Sequence, residues 1–497
     1  MAEQQPINLL YLMTDQQRFD ALSCAGNTVL DTPNIDRLAR EGVYFENAYS
    51  CCPVCVPARM AMLTGTSIYT NGVITNTDAR DENITPDSLI HNVKTYDEVL
   101  IENGYRGEYY GKWHSPAVRA LAYANRPIGM AGQGPHPELG LGLSGIYKAY
   151  LAEHVPERPA REGEVVDRGN GRFYQPDPID ERFGVTDPFT PHSSQAGMFG
   201  CDSIPREHTR NVFDADRTMD ALERMKDEPF TLHCSFGPPH PPFVSTEYYH
   251  SQFDAKDMPL PRSFNDPMED SPYRQKWEGM GHYRNRDTVG YMIANYYAMV
   301  KEIDDQMGRI LDKLDELELT DRTLVVFTSD HGEMLGSHGM NSKFIFYEES
   351  VHIPLIVRLP GVIPEGAVVV EPVSQHNFFA TFLDYLSVPD HNSQGYSLRG
   401  LIEGNVWSGD DFVVSEWPHS NVPGFMVRTQ RWKLMFGRSS DASSVDGLYD
   451  LEYDPLEISN VIGQQPEQAQ DLKDKLVSWL ERVQSPQLEG VKARAIE

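Results

Sequence analysis

Two apolar runs of strand length constrain this chain most: Ile7-Asn8-Leu9-Leu10-Tyr11-Leu12-Met13 and Thr323-Leu324-Val325-Val326-Phe327-Thr328. Neither alternates polar with apolar residues as a strand with one wet face would. Each reads as a strand buried on both faces, in a sheet covered by helices on either side. Between them the pattern turns helical again and again. Thr32 to Arg40 reads as a helix capped by Thr32, with Pro33 in its first turn and a stop at Gly42. Val43 to Phe45 follows as a strand. Tyr96 to Glu102, Phe213 to Met225, Thr288 to Leu317 and Gln375 to Leu386 read as helices, and Arg106 to Trp113, Phe230 to Phe236 and Ile353 to Val357 as strands. The alternation predicts an α/β fold with a large, mainly parallel sheet sandwiched by helices. Residues 115–210, rich in Pro, Gly, Arg and His, read as long loops over one face. Near residue 395 the character changes. Phe425 to Phe436 and Gly447 to Leu451 read as antiparallel strands and Gln468 to Val483 as a closing helix. This divides the chain into a principal domain, 1–395, and a smaller α+β subdomain, 396–497.

The formal net charge of −30 argues against nucleic acid as a partner. It also means that an anionic substrate needs a locally basic pocket. No apolar run reaches the length of a membrane helix. Met1 to Pro6 carries no signal-peptide core, so the chain as it stands reads as cytoplasmic; a leader removed upstream would make it periplasmic or secreted. Six cysteines in 497 residues do not form a disulfide scaffold.

In open α/β sheets, chemistry gathers beyond the carboxyl ends of the strands. Asp15 and Gln16 follow the first strand, and Asp330 and His331 follow the strand ending at Thr328. Acidic residues at equivalent ends of parallel strands can meet, and together these read as a divalent-cation site. Residues 55–65, Cys-Val-Pro-Ala-Arg-Met-Ala-Met-Leu-Thr-Gly, place a thiol two residues before a proline and four before an arginine, at the mouth of a helix. Cys52 and Cys55 also form a C-x-x-C pair, open to a redox or zinc reading, though no second pair accompanies it. Cys51 has Pro53 at +2 but Cys55, not arginine, at +4. Lys112 and His114, two apart on an extended segment, are expected on one face. His240 is boxed by Pro238, Pro239, Pro241 and Pro242.

The Cys-x-Pro-x-Arg element followed by Leu-Thr-Gly resembles the signature of the type I, formylglycine-dependent sulfatases of the alkaline phosphatase superfamily. Thr-Asp-Gln at 14–16, Thr-Pro-Asn-Ile-Asp-Arg-Leu at 32–38, Gly-Lys-Trp-His at 111–114, Pro-His-Pro-Pro-Phe at 239–243 and Ser-Asp-His-Gly at 329–332 also resemble motifs of that family, in its order. The segment 448–457 resembles its tail. The resemblance implies an alkaline-phosphatase-like fold and a Cys55 oxidised to formylglycine by a maturation enzyme. It implies a metal, Ca²⁺ with Mg²⁺ or Mn²⁺ as alternatives, held by Asp15, Gln16, Cys55, Asp330 and His331. Many members carry Asp where this chain has Gln16 and Asn where it has His331. By the same resemblance Arg59 supports the nucleophile, Lys112 and Lys343 hold the sulfate, His114 orients or deprotonates the formylglycine hydroxyl, and His240 protonates the leaving oxygen. His338 and His352 have no assigned role and read as structural.

The implied substrate is a sulfated small molecule or a sulfated oligo- or polysaccharide, with Arg119, Arg126, Arg161, Arg168, Arg172 and His192 as candidates for lining sugar subsites. The alternative is a phosphonate monoester or phosphodiester hydrolase of the same superfamily, in which Asn76 resembles a substrate-contacting group; Asn76 also reads as a turn residue. A homo-oligomer is compatible with the chain.

Overall fold

The computed structural model describes residues 6–79, 83–116, 119, 123–124, 143–155, 165–166, 173–176, 199–202, 204–274, 276, 285–389, 393–419, 422–438 and 445–496. Seven strands form the main sheet: β1 (Asn8–Asp15), β2 (Val43–Phe45), β3 (Arg106–Gly111), β4 (Phe230–Pro239), β5 (Thr323–Ser329), β6 (Leu355–Arg358) and β7 (Ala367–Val369). Their order is β7-β2-β6-β5-β1-β4-β3. All run in one direction except β6, which is antiparallel to both its neighbours. The sheet is thus mixed, with a parallel half, β5-β1-β4-β3, that carries the site.

The run read as one strand from Ile353 to Val357 is broken by Pro354, which cannot donate to a ladder. His352–Ile353 pairs with Ala48–Tyr49 in a separate small sheet, and Leu355–Arg358 enters the main one.

Burial of β1 on both faces follows directly from its sequence. Leu9, Tyr11 and Met13 join a core with α3 (Tyr96–Glu102) and α6 (Phe378–Tyr385). Leu10 and Leu12 point the other way, into a core with α1 (Pro33–Arg40), α4 (Arg210–Met225) and the long α5 (Arg286–Glu316). The nucleophile candidate opens α2 (Cys55–Thr64), whose Val56, Met60 and Leu63 sit in the first of these cores. In the stretch read as loops, the helix Leu143–His154 and the strands Val165–Val166, Phe173–Pro176 and Phe199–Asp202 are formed, so that reading was incomplete. Arg126, Arg161, Arg168, Arg172 and His192 lie outside the described residues. Arg119 donates to Val93 O at 2.8 Å and Glu98 at 3.0 Å.

Strands β8 (Phe412–Glu416), β9 (Phe425–Thr429), β10 (Trp432–Phe436) and β11 (Gly447–Asp450) form an antiparallel sheet. One face packs on α7 (Pro466–Arg482) through Val427, Leu434, Leu472 and Leu476. From the other, Val413, Met426 and Met435 share a core with Cys51, Ala58 and Tyr347. The C-terminal sheet therefore backs the helix that begins at Cys55. Among the described residues, no helix is long and apolar enough to cross a membrane.

The α1 cap differs from the sequence expectation. Thr32 makes no side-chain cap bond. Asp304 of α5 instead accepts the amides of Asn34 and Ile35 at 3.0 and 2.9 Å. A cap borrowed from another helix leaves no local sequence signal. Asp304→Ala should cost about 1–2 kcal/mol in a urea titration, as loss of a helix cap does, and Asp304→Asn, which keeps an acceptor, distinctly less.

Candidate active site

Four neighbouring strand ends deliver the polar groups. Strands β1 and β5 stay in register to Thr14 opposite Ser329, so Asp15 and Asp330 leave the sheet side by side. On the other flank Met13 pairs with Ser235, but Asp15 pairs with Pro239. The extra residues in β4 form a bulge that carries the chain to His240, whose Nε2 lies 4.0 Å from Asp15. Strand β3 ends at Gly111, in the left-handed region at φ 87°, where a Cβ would stand 2.0 Å from Ser235 O. Only glycine allows that exit. Lys112 and His114 therefore lie beyond the strand, with His114 itself at φ 42°, and do not share a face by strand alternation. They reach the site separately. Lys112 Nζ is 2.6 Å from Asp15 Oδ2. His114 is buried with both ring nitrogens unpartnered. Burial and the nearby Lys112 hold its imidazolium below the usual range.

Arg59 is the hinge of the arrangement. Its Nη2 donates to Asp15 at 2.7 Å and its Nε to Asp330 at 2.9 Å, all three side chains being shut off from solvent. Its Nη1 donates to Lys112 O at 2.9 Å and Ser235 Oγ at 3.0 Å. Arg59 was expected to support the nucleophile; its hydrogen bonds go to the two carboxylates and two strand ends around Cys55. One helical turn past Cys55, the side chain points back toward the helix start, where the carboxylates are.

Cys55 is fully buried. Its Sγ lies 3.1 Å from Lys343 Nζ, 3.2 Å from His331 Nε2 and 3.9 Å from Asp15 Oδ1. Burial and Asp15 oppose the thiolate, but Lys343, Lys112 and His331 outweigh them and hold the thiol well below its usual range. Asp15 is likewise held low, because Lys112, His240, Arg59 and Lys343 together overcome burial. Burial and Asp15 push the adjacent Asp330 up to about 6. Two carboxylates this close cannot both ionise without cations, which is how such pairs split.

One ligand atom each from Asp15, Cys55, Asp330 and His331 lie within 4.8 Å of one another. Two carboxylates, an imidazole and a fourth donor suit a divalent cation. Cys51 and Cys52 stay outside this cluster as free thiols pushed up by burial, and the C-x-x-C reading does not assemble. Gln16 stands at the rim at φ 68°, its Oε1 accepting from Lys343 Nζ at 2.6 Å and its Nε2 donating to Glu333. His240 Nδ1 bonds Pro241 O at 2.6 Å, and burial with Lys343 and Lys112 lowers it to about 4.

Asn76, read from sequence either as a substrate-contacting group or as a turn residue, accepts the Val56 amide at 3.1 Å through Oδ1, at the start of α2. Other residues were missed from sequence. Gln375 takes the Cys51 amide at 3.0 Å and donates to Asp330 O at 2.8 Å. Ser235 supports Arg59. None has a sequence cue, because each acts on a segment more than fifteen residues away. Glu333, three residues past Asp330, could have been suspected from its motif. His338 bonds Asp266 at 2.6 Å, and His352 bonds Glu46 O at 2.7 Å.

The chain resembles known proteins over nearly its whole length. A family model described as Sulfatase matches residues 7–388, and one described as N-sulphoglucosamine sulphohydrolase, C-terminal, matches residues 336–486. The chain is 28% identical to the multifunctional alkaline phosphatase superfamily protein PehA of Trinickia caryophylli, over 95% of each chain. It is 26% identical to the N-acetylglucosamine-6-O-sulfatase of Bacteroides thetaiotaomicron, over 96% of this chain and 86% of that one. The fold superposes on the phosphonate monoester hydrolase of Agrobacterium radiobacter with a TM-score of 0.75 and 24% identity, over 97% of each chain.

Arg59→Gln should destabilise the protein by about 3–5 kcal/mol, the range for removing one partner of a buried ion pair. Measured by urea denaturation in chelator, the deficit should shrink as the pH is lowered. Asp330 has its folded value raised to about 6, above that of an unfolded carboxylate. Its contribution is thus fully present below about pH 4 and lost as pH rises through 6. Removing the guanidinium steepens that loss, so the variant should fall furthest behind at pH 8.

Proposed function

The chain belongs to the sulfatase family and is a sulfuric ester hydrolase, and on that premise we propose that its substrate is a sulfate ester of a sugar. The observation that carries the chemistry is the placing of Cys55 Sγ between Lys343 and His331, against the Asp15–Asp330 pair. The family implies formylglycine at position 55 and a divalent metal. The residues present fit both. Cys55 opens a helix within reach of two cationic side chains, and Asp15, Asp330 and His331 surround it with ligand atoms. We assign the cation as Ca²⁺, in keeping with the carboxylate oxygens, with Mn²⁺ or Mg²⁺ as alternatives because His331 adds an imidazole. When bound, the cation and the aldehyde hydrate supply an acidic hydroxyl nucleophile and a means of releasing inorganic sulfate.

The chain's own groups do the rest. Lys343 and Lys112 supply fixed positive charge where a sulfate ester would gather negative charge, in a largely buried site. Arg59 cannot take that part, since its bonds are committed to the carboxylates. His114, neutral and without a partner, has a free ring nitrogen for a proton at residue 55. His240 keeps its Nδ1 on Pro241 O and aims Nε2 into the site. As a general acid it must first be protonated, which an anionic ester beside it favours by offsetting the neighbouring lysines.

The sugar rests on the similarity to an N-acetylglucosamine-6-O-sulfatase. The phosphonate monoester reading is favoured by the structural likeness to a phosphonate monoester hydrolase, and both substrates present a tetrahedral anion to the same cations.

Two measurements test this. Peptide mass spectrometry across residues 51–59, on protein matured with a formylglycine-generating enzyme, should show a loss of about 18 Da at Cys55, as the covalent route requires. Sulfate release from N-acetylglucosamine 6-sulfate should then exceed hydrolysis of an aryl phosphonate monoester, and Cys55→Ala should lower kcat by about 10³-fold or more. A faster phosphonate reaction would transfer the assignment to the alternative.

A further inference from the structure

Glu333 is fully buried, and its carboxylate bonds Gln16, Leu335 and Ser342. Three N–H groups point at its two oxygens. Oε2 accepts from Gln16 Nε2, and Oε1 accepts from the amides of Leu335, at 3.1 Å, and Ser342. The last two bonds close the loop that bears Lys343, next to Ser342. That loop turns through left-handed residues at Leu335, His338, Ser342 and Phe344, and is held besides by the Met334 amide on Ser342 O, the Phe344 amide on Pro53 O and the His338–Asp266 bond.

The side-chain amide of Gln16 has two nearly superposable orientations, exchanging its oxygen and its NH₂. At one end stands Glu333, which only accepts here. At the other stands Lys343 Nζ, which only donates, at 2.6 Å. In the observed orientation both ends are satisfied. Flipped, oxygen would face oxygen and NH₂ would face ammonium. The backbone gives Gln16 no freedom to escape, since its N–H donates to Asp330 Oδ1 at 2.9 Å and its C=O accepts from Tyr296 at 2.7 Å.

We propose that Glu333 is a positioning residue that locks the Gln16 carbonyl oxygen toward the Cys55–Lys343 side of the site, where it serves a bound divalent cation as a neutral ligand. This rests on the cation reading above. It also explains how glutamine works where a carboxylate would be simpler. A carboxylate has no wrong end, but a third negative charge beside Asp15 and Asp330 would be costly to bury. Glutamine avoids the charge and therefore needs a partner to fix its orientation, as ligating side chains generally do.

Glu333→Gln tests this. The loop amides of Leu335 and Ser342 still require an acceptor, so the new amide should give them its oxygen and turn its NH₂ toward Gln16. Gln16 should then flip and present NH₂ to the site. Titration of chelator-stripped protein with Mn²⁺ should show affinity about 10–100-fold weaker than wild type. Adding Gln16→Glu should restore it, because one oxygen of the new carboxylate accepts from the amide introduced at position 333 while the other faces the cation. A residue that merely holds the loop would give no such rescue. The proposal is overturned if folded Glu333→Gln binds Mn²⁺ like wild type, or if the double variant binds no better than the single. Should the single variant fail to fold, the double variant decides: tight Mn²⁺ binding supports the proposal, while weak binding or misfolding overturns it. A wild type that itself fails to bind Mn²⁺ would remove the cation reading, a different failure from equal binding by wild type and variant.

Discussion

Two carboxylates buried side by side are the constraint on which everything else in this structure rests, and Arg59 is what makes them tolerable. Asp15 and Asp330 come from strands more than three hundred residues apart, and neither sees solvent. Left alone, one would have to be protonated at neutral pH. The planar guanidinium gives each a charge-assisted bond from a separate nitrogen, a geometry that a lysine could not reproduce. Its remaining nitrogen ties the ends of β3 and β4 to the same point. A single side chain thus fixes the mutual position of four strand ends. Pro57, between Cys55 and Arg59 in the first turn of α2, costs the helix nothing there.

The charge of the whole chain and the charge of the site run in opposite directions. With a net charge of −30, the surface field repels anions. Around Cys55, Lys112, Arg59, His240 and His331 stand within 4.0 Å of Asp15 or Asp330, and Lys343 stands 3.1 Å from the sulfur. Screening at about 8 Å in physiological salt lets the two regimes coexist, because exposed acids beyond that range are little felt while buried cations keep their full effect. Binding an anionic ester therefore depends on local bonds and not on long-range steering.

What could be read from the sequence was whatever a local pattern enforces. Runs such as Leu9–Met13 and Leu324–Phe327 declare burial on both faces, and the order of strands and helices followed from them. Asp15, Asp330 and His331 were legible because strand ends in a parallel sheet converge. Contacts made across the fold were not legible. Arg59 was expected to support the nucleophile, but that its bonds would go to Asp15 and Asp330 was not legible, because no local pattern records how close those carboxylates come. Asp304 caps a helix 270 residues away, and the run 353–357 is split at Pro354 between two sheets. Lys112 and His114 were placed by strand alternation, which Gly111 had already ended.

The C-terminal sheet belongs to this same argument, because it completes the nucleophile's support. The Cys51 carbonyl accepts from the Glu416 amide of β8 at 2.9 Å, and Glu416 Oε2 in turn accepts from Ser67 Oγ at 2.8 Å, just past the end of α2. Ser50 Oγ donates to Asp330 O at 2.6 Å, and Gln375 bonds both Cys51 and Asp330. The segment leading into Cys55 is thereby held between the metal-site strand on one side and the antiparallel sheet on the other. Behind it, Lys433 of β10 is buried between Glu348 and Glu457 at 2.8 Å from each, a charged junction that is stable only while all three partners are present. The residues after 395 therefore set where Cys55 sits, and a site whose reacting groups all lie before residue 344 still depends on the last hundred residues for its geometry.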